Sequence, residues 1–196
     1  MRLDSKKDTE IIKNSLAQSH EYVTMVVKEG DTVVDATAGN GNDTLFLARL
    51  VGEKGRVYSF DIQSCAIERT REKLEKEGLT ERVTLINDSH HNMDLYIEGK
   101  VRTIMFNLGY LPGGDHNIDT KADSTEEALN KAMDIIEKNG LISMVVYYGG
   151  DSGFDEKNHI MDYIKHIDSK RFTVMATEFV NQVNCPPILV CIEKLF

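Results

Sequence analysis

Basic charge, cysteine and long apolar runs are all scarce in this chain, and each scarcity removes a class of function. Lys and Arg total 23 against 32 Asp and Glu in 196 residues, a net charge of -9. Proteins that coat nucleic acid concentrate cations on phosphate, so a general coat role is excluded. An enzyme that touches a short piece of RNA through a local patch is not. Only partial patches exist, "RTREK" at 69–73 and "SKR" at 169–171, and both read first as solvated faces. The three cysteines, Cys65, Cys185 and Cys191, are too few and scattered for a disulfide framework or a four-ligand zinc site. They read as small reduced hydrophobes. No apolar run approaches the roughly 18 residues of a membrane span. The opening "MRLDSKKDTEIIKNS" puts charges where a signal peptide needs apolar residues, so a cytoplasmic location without membrane attachment is expected.

What is present is the composition of a globular protein, 41% apolar and 28% charged. The length suits one domain spanning 1–196, with residues 1–30 a helical segment packed on it. Apolar spacing predicts a first helix over 9–28. From "GDTVVDATAG" onward, β-branched runs alternate with helical patterns. Strands are expected to end at Asp35, Asp61, Asp88 and Asn107, and a fully apolar fifth strand at "LISMVVYYGG". The intervening helices start at Asp43, run over 64–77 before Gly78, include a short helix in "SHHNMDLYI", and run over 125–138 and 154–167. "RFTVMATEFV" and "PILVCIEKLF" have no helix between them and are expected to pair as an antiparallel hairpin at one edge. Strand–helix alternation of this kind means an α/β fold with a mostly parallel sheet covered on both faces.

Ligands of open α/β sheets sit at the carboxyl ends of the strands, and here those ends carry three carboxylates and an amide. The loop "DATAGNGNDT" is glycine-rich, as a phosphate cradle would be. It departs from the dinucleotide pattern GxGxxG by placing Thr44 at the third glycine and Asp43 at the start of the next helix. A carboxylate there repels a phosphate. It suits a cationic nucleoside such as S-adenosylmethionine, which carries a sulfonium and an ammonium. Asp43 is equally explained as a helix-start carboxylate that caps its own helix. Asp35 is placed to receive the ammonium, and Asp61, about 20 residues beyond the glycines, to chelate ribose hydroxyls. Asp88, followed by Ser89 and His90, would lie beside the adenine; Asp88 and Ser89 also suffice as a helix cap. A metal site built from Asp88, His90, His91 and Asp94 lacks an HxxxH or cysteine partner, so no metal is expected.

With these motifs in place, the chain resembles the class I S-adenosylmethionine-dependent methyltransferases over nearly its whole length. That resemblance implies the sheet order 3-2-1-4-5-7-6 with strand seven antiparallel. "DATAGNGNDT", "NLGYLPGGD" and "NQVNCPPILVCIEK" together are similar to the small bacterial rRNA methylase family. Members are associated with methylating the wobble uridine of transfer RNA, converting 5-aminomethyl-2-thiouridine to its methylaminomethyl form. The resemblance implies cofactor contacts at Asp35, Thr37, Gly39, Asn40, Gly41, Asn42, Asp43, Thr44, Asp61, Ile62, Gln63, Asp88, Ser89, His90 and Asn107. A tRNA anticodon region or another RNA is the implied partner, and a homodimer is compatible with "ILVCIEKLF" as an apolar edge.

Asn107-Leu108-Gly109-Tyr110 resembles the Asn-Pro-Pro-Tyr loop of nitrogen methyltransferases, with Leu108 and Gly109 in place of both prolines. In such loops the Asn oxygen and a backbone carbonyl hold the target N–H groups, so alignment supplies much of the rate. Asn107, Leu108, Tyr110 and Asp115 are the expected catalytic group. An alkylamine is mostly protonated at neutral pH, so the site must also remove a proton. Asp115, His116 and His20 are candidates, and each also reads as turn or surface. Gly113, Gly114, Tyr148, Gln182 and Asn184 complete the expected substrate rim, with Tyr110 able to stack on an exposed base. Besides RNA, an acidic chain of this kind could serve a small-molecule or protein amine.

Overall fold

The computed structural model of the chain describes residues 11–109, 122–149 and 153–196. In chain order they form α1 (Ser15–Val26), β1 (Thr32–Asp35), α2 (Asn42–Leu50), β2 (Arg56–Phe60), α3 (Ser64–Glu77), β3 (Val83–Ile86) and β4 (Val101–Leu108). α4 (Ala122–Ile135), β5 (Ile136–Val146), α5 (Gly153–Tyr163), β6 (Phe172–Thr177) and β7 (Ile188–Lys194) follow. The seven strands make one sheet of order β3-β2-β1-β4-β5-β7-β6. β1 to β5 are mutually parallel, and β7 runs antiparallel to both β5 and β6. This is the α/β architecture and strand order that the resemblance implies.

The strands are short and apolar because both faces of the sheet are covered. Successive residues alternate between two cores. Val34, Ile104 and Phe106 face α4 and α5 through Ala128, Leu129 and Ile160. Val33 and Met105 face α1, α2 and α3 through Val23, Leu47 and Leu74. Each such side chain, removed from water completely, contributes about 1.5–3 kcal/mol. α1 is fastened to the sheet by polar contacts as well. Ser19 and Ser143, both fully buried, share a 2.7 Å hydrogen bond, and Ser15 Oγ donates to the Pro187 carbonyl.

Three element boundaries differ from the sequence expectation. α1 begins at Ser15, where the Asn14 side chain accepts from the Ala17 amide as an N-cap; described residues 11–14 precede the helix. α4 stops at Ile135 rather than continuing to 138, because Ile136 is drawn into the core as the first residue of β5. The extra residues before Leu141 are absorbed by a register jump against β4, with Asn139 at φ 57°. The segment after β3 is a 3₁₀ turn, His90–Leu95, as a short apolar run with little helical length permits. The antiparallel hairpin forms at one edge of the sheet as expected. β7 is interior, between β5 and β6, because Ile188–Ile192 is buried on both faces. The edge strand is β6, so "ILVCIEKLF" offers no free edge for a second copy. No helix among the described residues is long and apolar enough to cross a membrane.

Candidate active site

Between β1 and α2 the chain turns through Gly39 and Gly41, both at positive φ. Gly41 is the N-cap of α2, at φ 76°, and a Cβ there would stand 2.8 Å from Thr70 Oγ1 and 3.0 Å from Thr70 Cα. Only glycine allows this turn to lie against α3. The amide of Gly39 donates to Asp61 Oδ2 at 2.9 Å, and the amide of Gln63 donates to Asp61 Oδ1 at 2.9 Å. Asp61 follows the last residue of β2, and two segments thus hold its carboxylate square to the crevice. Burial raises its pKa, with these two bonds opposing. Asn87, which the sequence reading passed over, donates to the carbonyls of Asp61 and Ile62 and fixes the same corner. Ile62 itself is 49% exposed, an apolar side chain with its face to solvent beside that carboxylate.

Asp88 lies two residues beyond β3. It accepts from the Ser89 amide at 2.7 Å, from Asn92 Nδ2, and from the Tyr96 hydroxyl at 2.8 Å. The Tyr96 bond leads the effects that lower its pKa. Neither Asn92 nor Tyr96 stood out in the sequence, since a residue four or eight positions past an acid carries no signal unless the turn is known. Ser89 Oγ pairs with His91 Nδ1 at 2.8 Å. His90 is buried, bonded to the Ala36 carbonyl and edge-on to Phe106, and burial pushes its pKa down to about 4. It is therefore neutral, and its Nε2 is buried without a hydrogen-bond partner. Among the described residues no cluster of three His, Cys, Asp or Glu side chains could hold a metal, and Asp94 is paired with Lys131.

Asp35 does not face the crevice. It is fully buried; Oδ1 accepts from the Thr37 amide at 3.1 Å and Oδ2 from the Thr44 hydroxyl at 2.6 Å, and Thr44 Oγ1 lies 2.8 Å from Ser59 Oγ. Burial first, then the charge of Asp43, raises its pKa to about 7. Thr44, which replaces the third glycine, therefore ties β1, α2 and β2 together. The ammonium contact expected of Asp35 is not available to a carboxylate with both oxygens engaged and no exposed surface.

Asp43 is buried as well, though slightly less completely than Asp35. It makes no cap bond to its own helix, so the local explanation offered by the sequence is not the one realised. Its Oδ1 lies 2.7 Å from His20 Nε2, and its Oδ2 accepts from Asn107 Nδ2 at 3.2 Å. The Asn107 amide nitrogen in turn donates to Thr37 Oγ1 at 2.8 Å. His20 stacks on Phe46 with ring centroids 4.0 Å apart and planes 8° from parallel. Four segments, α1, the glycine loop, α2 and β4, thus converge on one buried carboxylate. Tyr147, just past β5, stands close enough for Asp43's charge to add to burial in raising its pKa. Gly109 packs against Tyr147, with only 3.1 Å for an added Cβ. That contact accounts for a glycine where related loops carry proline.

Asn40 and Asn42 point outward, accepting from Arg69 and Lys73. Leu108 is buried in the sheet, so its part in any chemistry is limited to its backbone. Tyr148 sits edge-on to Phe154, with Lys157 over its ring and the Cys185 and Glu178 loop near enough to affect its hydroxyl. Gln182 and Asn184 are exposed on that loop, Asn184 at φ 66°. Tyr110, Gly113, Gly114, Asp115 and His116 lie outside the described residues.

A glycine turn free of helix-capping side chains, a ribose-type acid and a neutral histidine with an unused acceptor fit a nucleoside that carries positive charge. Fold and site together define a class I S-adenosylmethionine-dependent methyltransferase. The profile of the family described as "Putative rRNA methylase" matches residues 57–193, and the chain belongs to that family. A profile of protein-L-isoaspartate (D-aspartate) O-methyltransferases matches residues 7–93. A crystal structure of a protein of the rRNA-methylase type from Clostridium thermocellum is 60% identical with a TM-score of 0.94, covering 95% of this chain and 100% of that one. A Streptococcus mutans methyltransferase, solved in complex with SAH, is 39% identical with a TM-score of 0.87, covering 94% and 100%. The chloroplastic tRNA (mnm(5)s(2)U34)-methyltransferase of Arabidopsis thaliana is 43% identical over 161 residues, 77% of this chain. The chain spans 56% of that protein's length, and about half the length of the curated relatives it matches.

Proposed function

We propose that the protein methylates RNA, and specifically the amine of a 5-aminomethyl-2-thiouridine at the wobble position of tRNA. The observation that carries this reading is the Asp43 bridge between His20 and Asn107, which is an arrangement for holding and deprotonating an amine. The 43% identity to the chloroplast tRNA enzyme and the rRNA-methylase family support an RNA substrate. S-adenosylmethionine, when bound, supplies a methyl carbon made electrophilic by its sulfonium.

The chain's own residues do the rest. Asp61 accepts the ribose hydroxyls through the lone pairs its two amide bonds leave free, and Ile62 and His90 border the adenine, with Asp88 held beside it by Tyr96 and Asn92. The Asp43 charge faces the cationic end of the cofactor. Because Asn107 Nδ2 is committed to Asp43, its Oδ1 is turned outward to accept an N–H of the target amine. With Nε2–H donated to Asp43, the imidazole presents Nδ1 as a base, the orientation a carboxylate imposes on a histidine. His20 takes the proton of the target ammonium. The nitrogen lone pair then attacks the methyl carbon while sulfur leaves with the S–C electrons, and the product departs as a secondary ammonium. Leu108, Tyr110 and Asp115, with Gly113, Gly114, His116, Tyr148, Gln182 and Asn184, belong to the rim that receives the base.

Incubation with methyl-labelled cofactor and tRNA lacking the terminal methyl, followed by nucleoside mass spectrometry, tests the proposal. Label on the 5-aminomethyl nitrogen is the expected result. Label in ribosomal RNA, or only on a small or protein amine, overturns the wobble-uridine assignment.

A further inference from the structure

A concave groove of about 530 Å³ runs down the flank of the molecule from His20, between α2 and α3. Phe46 and Arg49 line one wall, Lys73, Lys76 and Glu77 the other. Its polar side chains, Arg49, Lys73, Lys76 and Glu77, belong to neither core, while Phe46 packs against the core beneath. Three cations and one carboxylate share this small space; Arg49 is ion-paired to Glu77 at 2.7 Å, and Lys73 and Lys76 leave the groove net positive in a chain of net charge -9. Nothing in the Asp43 bridge requires this composition.

Two features connect the groove to the crevice above it. At its head the flat faces of His20 and Phe46 are stacked, and His20 is the residue bonded to Asp43. Along α3, Arg69 and Lys73 reach across to Asn40 and Asn42 of the glycine loop. The cationic wall is thereby joined to the loop that seats the cofactor. A second groove, beside α1 and the segment after β6, is of similar size and has the opposite character. Lys13 is its single cation, ion-paired to Glu21, and Glu178 faces it among Ile11, Ile12, Met25 and Val180. Cations are concentrated in the groove that leads to the reacting centre and not in the other one.

We propose that the groove between α2 and α3 carries the ribose–phosphate backbone of the RNA strand next to the target nucleotide. Arg49, Lys73 and Lys76 contact phosphates, and the His20–Phe46 pair meets the sugar or base entering the site. This inference rests on the RNA reading above. Aromatic faces combined with a cationic track are how single-stranded nucleic acid is held without sequence preference. Placing the cations beside the site also accounts for how an acidic protein engages a polyanion: long-range repulsion from the rest of the surface is largely screened at physiological salt, while close phosphate contacts are weakened by salt but still act at short range.

The test is an RNA-binding titration over a series of salt concentrations, using SAH-loaded enzyme and an anticodon stem-loop carrying 5-aminomethyluridine. Arg49→Gln/Lys76→Gln removes two cations from exposed positions. Each phosphate contact contributes about 0.7–0.9 to the slope of log affinity against log salt, so the double variant should lose about 1.5 from that slope and bind roughly tenfold more weakly. Affinity for SAH should stay at the wild-type value, which also shows the variant is folded. Lys165→Gln, on the far side of the sheet in the 3₁₀ turn that follows α5, should leave both RNA affinity and slope unchanged. Wild-type slope and affinity in the double variant, with methylation of RNA intact in the wild type, overturn this inference alone. Wild-type enzyme that binds SAH and methylates no RNA overturns the RNA reading and the groove together.

Discussion

The two halves of the site are built on different plans. In the half formed by β1, β2 and β3, carboxylates are held by backbone amides and by side chains close in sequence: Asp61 by the amides of Gly39, 22 residues away, and Gln63, Asp88 by Ser89, Asn92 and Tyr96, Asp35 by Thr37 and Thr44. In the half formed by α1, α2 and β4, side chains far apart in sequence hold one another, with Asp43 joined to His20 across 23 residues and to Asn107 across 64. The first plan fixes a ligand with the frame of the sheet itself. The second leaves protonatable side chains facing an acceptor. Under the proposed function, a donor held still and an acceptor aimed and deprotonated would call for these two kinds of construction.

Breaking the first half should abolish binding. Asp61→Ala removes an acceptor of two ribose hydrogen bonds, each worth about 1.5–3 kcal/mol to a charged partner, so SAH affinity by calorimetric titration should fall at least 100-fold. Breaking the second half should spare binding and slow transfer. His20→Gln should lower kcat about 100-fold at neutral pH, within the range for loss of a general base. The deficit should shrink as pH rises and the substrate amine deprotonates unaided, whereas a purely structural role for His20 would leave the deficit constant. Asp43→Asn should behave in the same way, with SAH affinity also weakened because the charge facing the cofactor is lost.

Smaller effects sharpen the boundary between the halves. Thr44→Val strands the Asp35 and Ser59 oxygens and should cost about 1–3 kcal/mol in urea unfolding, without a specific effect on kcat. Asp35 gives a pH signature. Its folded pKa of about 7 lies above the ordinary carboxyl value of 3.8, so the native state binds the proton more tightly than the unfolded chain does. Stability contributed by the protonated form is present at low pH and is lost as pH rises from about 4 to about 7. Asp35→Asn should flatten the decline of Tm over that interval, and a decline as steep as in the wild type would show that another group is responsible.

The same division governs how much could be read from the sequence. α3 with its terminating Gly78 and the strand-end acids followed from local patterns: β-branched runs, helical spacing, a glycine in the left-handed region; the sheet order, with β7 interior, followed from the family resemblance. A carboxylate bonded to amides within its own turn leaves a trace of that kind. Asp43 does not, because the capping role suggested by its position is outweighed by two partners that only the fold brings near. Asp35 misled for the opposite reason. Its place at a strand end resembles that of Asp61, yet the Thr44 hydroxyl turns it inward. α4's early end was not legible, because it depends on Ile136 entering a core made by distant segments.

The separation of the two halves is tested most directly by measuring SAH affinity and single-turnover methyl transfer to 5-aminomethyl-containing tRNA on one variant, Asn107→Ala. The account predicts SAH affinity within about threefold of wild type and transfer slowed by about 100-fold or more, as expected when an orienting hydrogen bond to the reacting amine is removed. Transfer at the wild-type rate, or a loss of transfer that merely tracks a loss of SAH affinity, would contradict it.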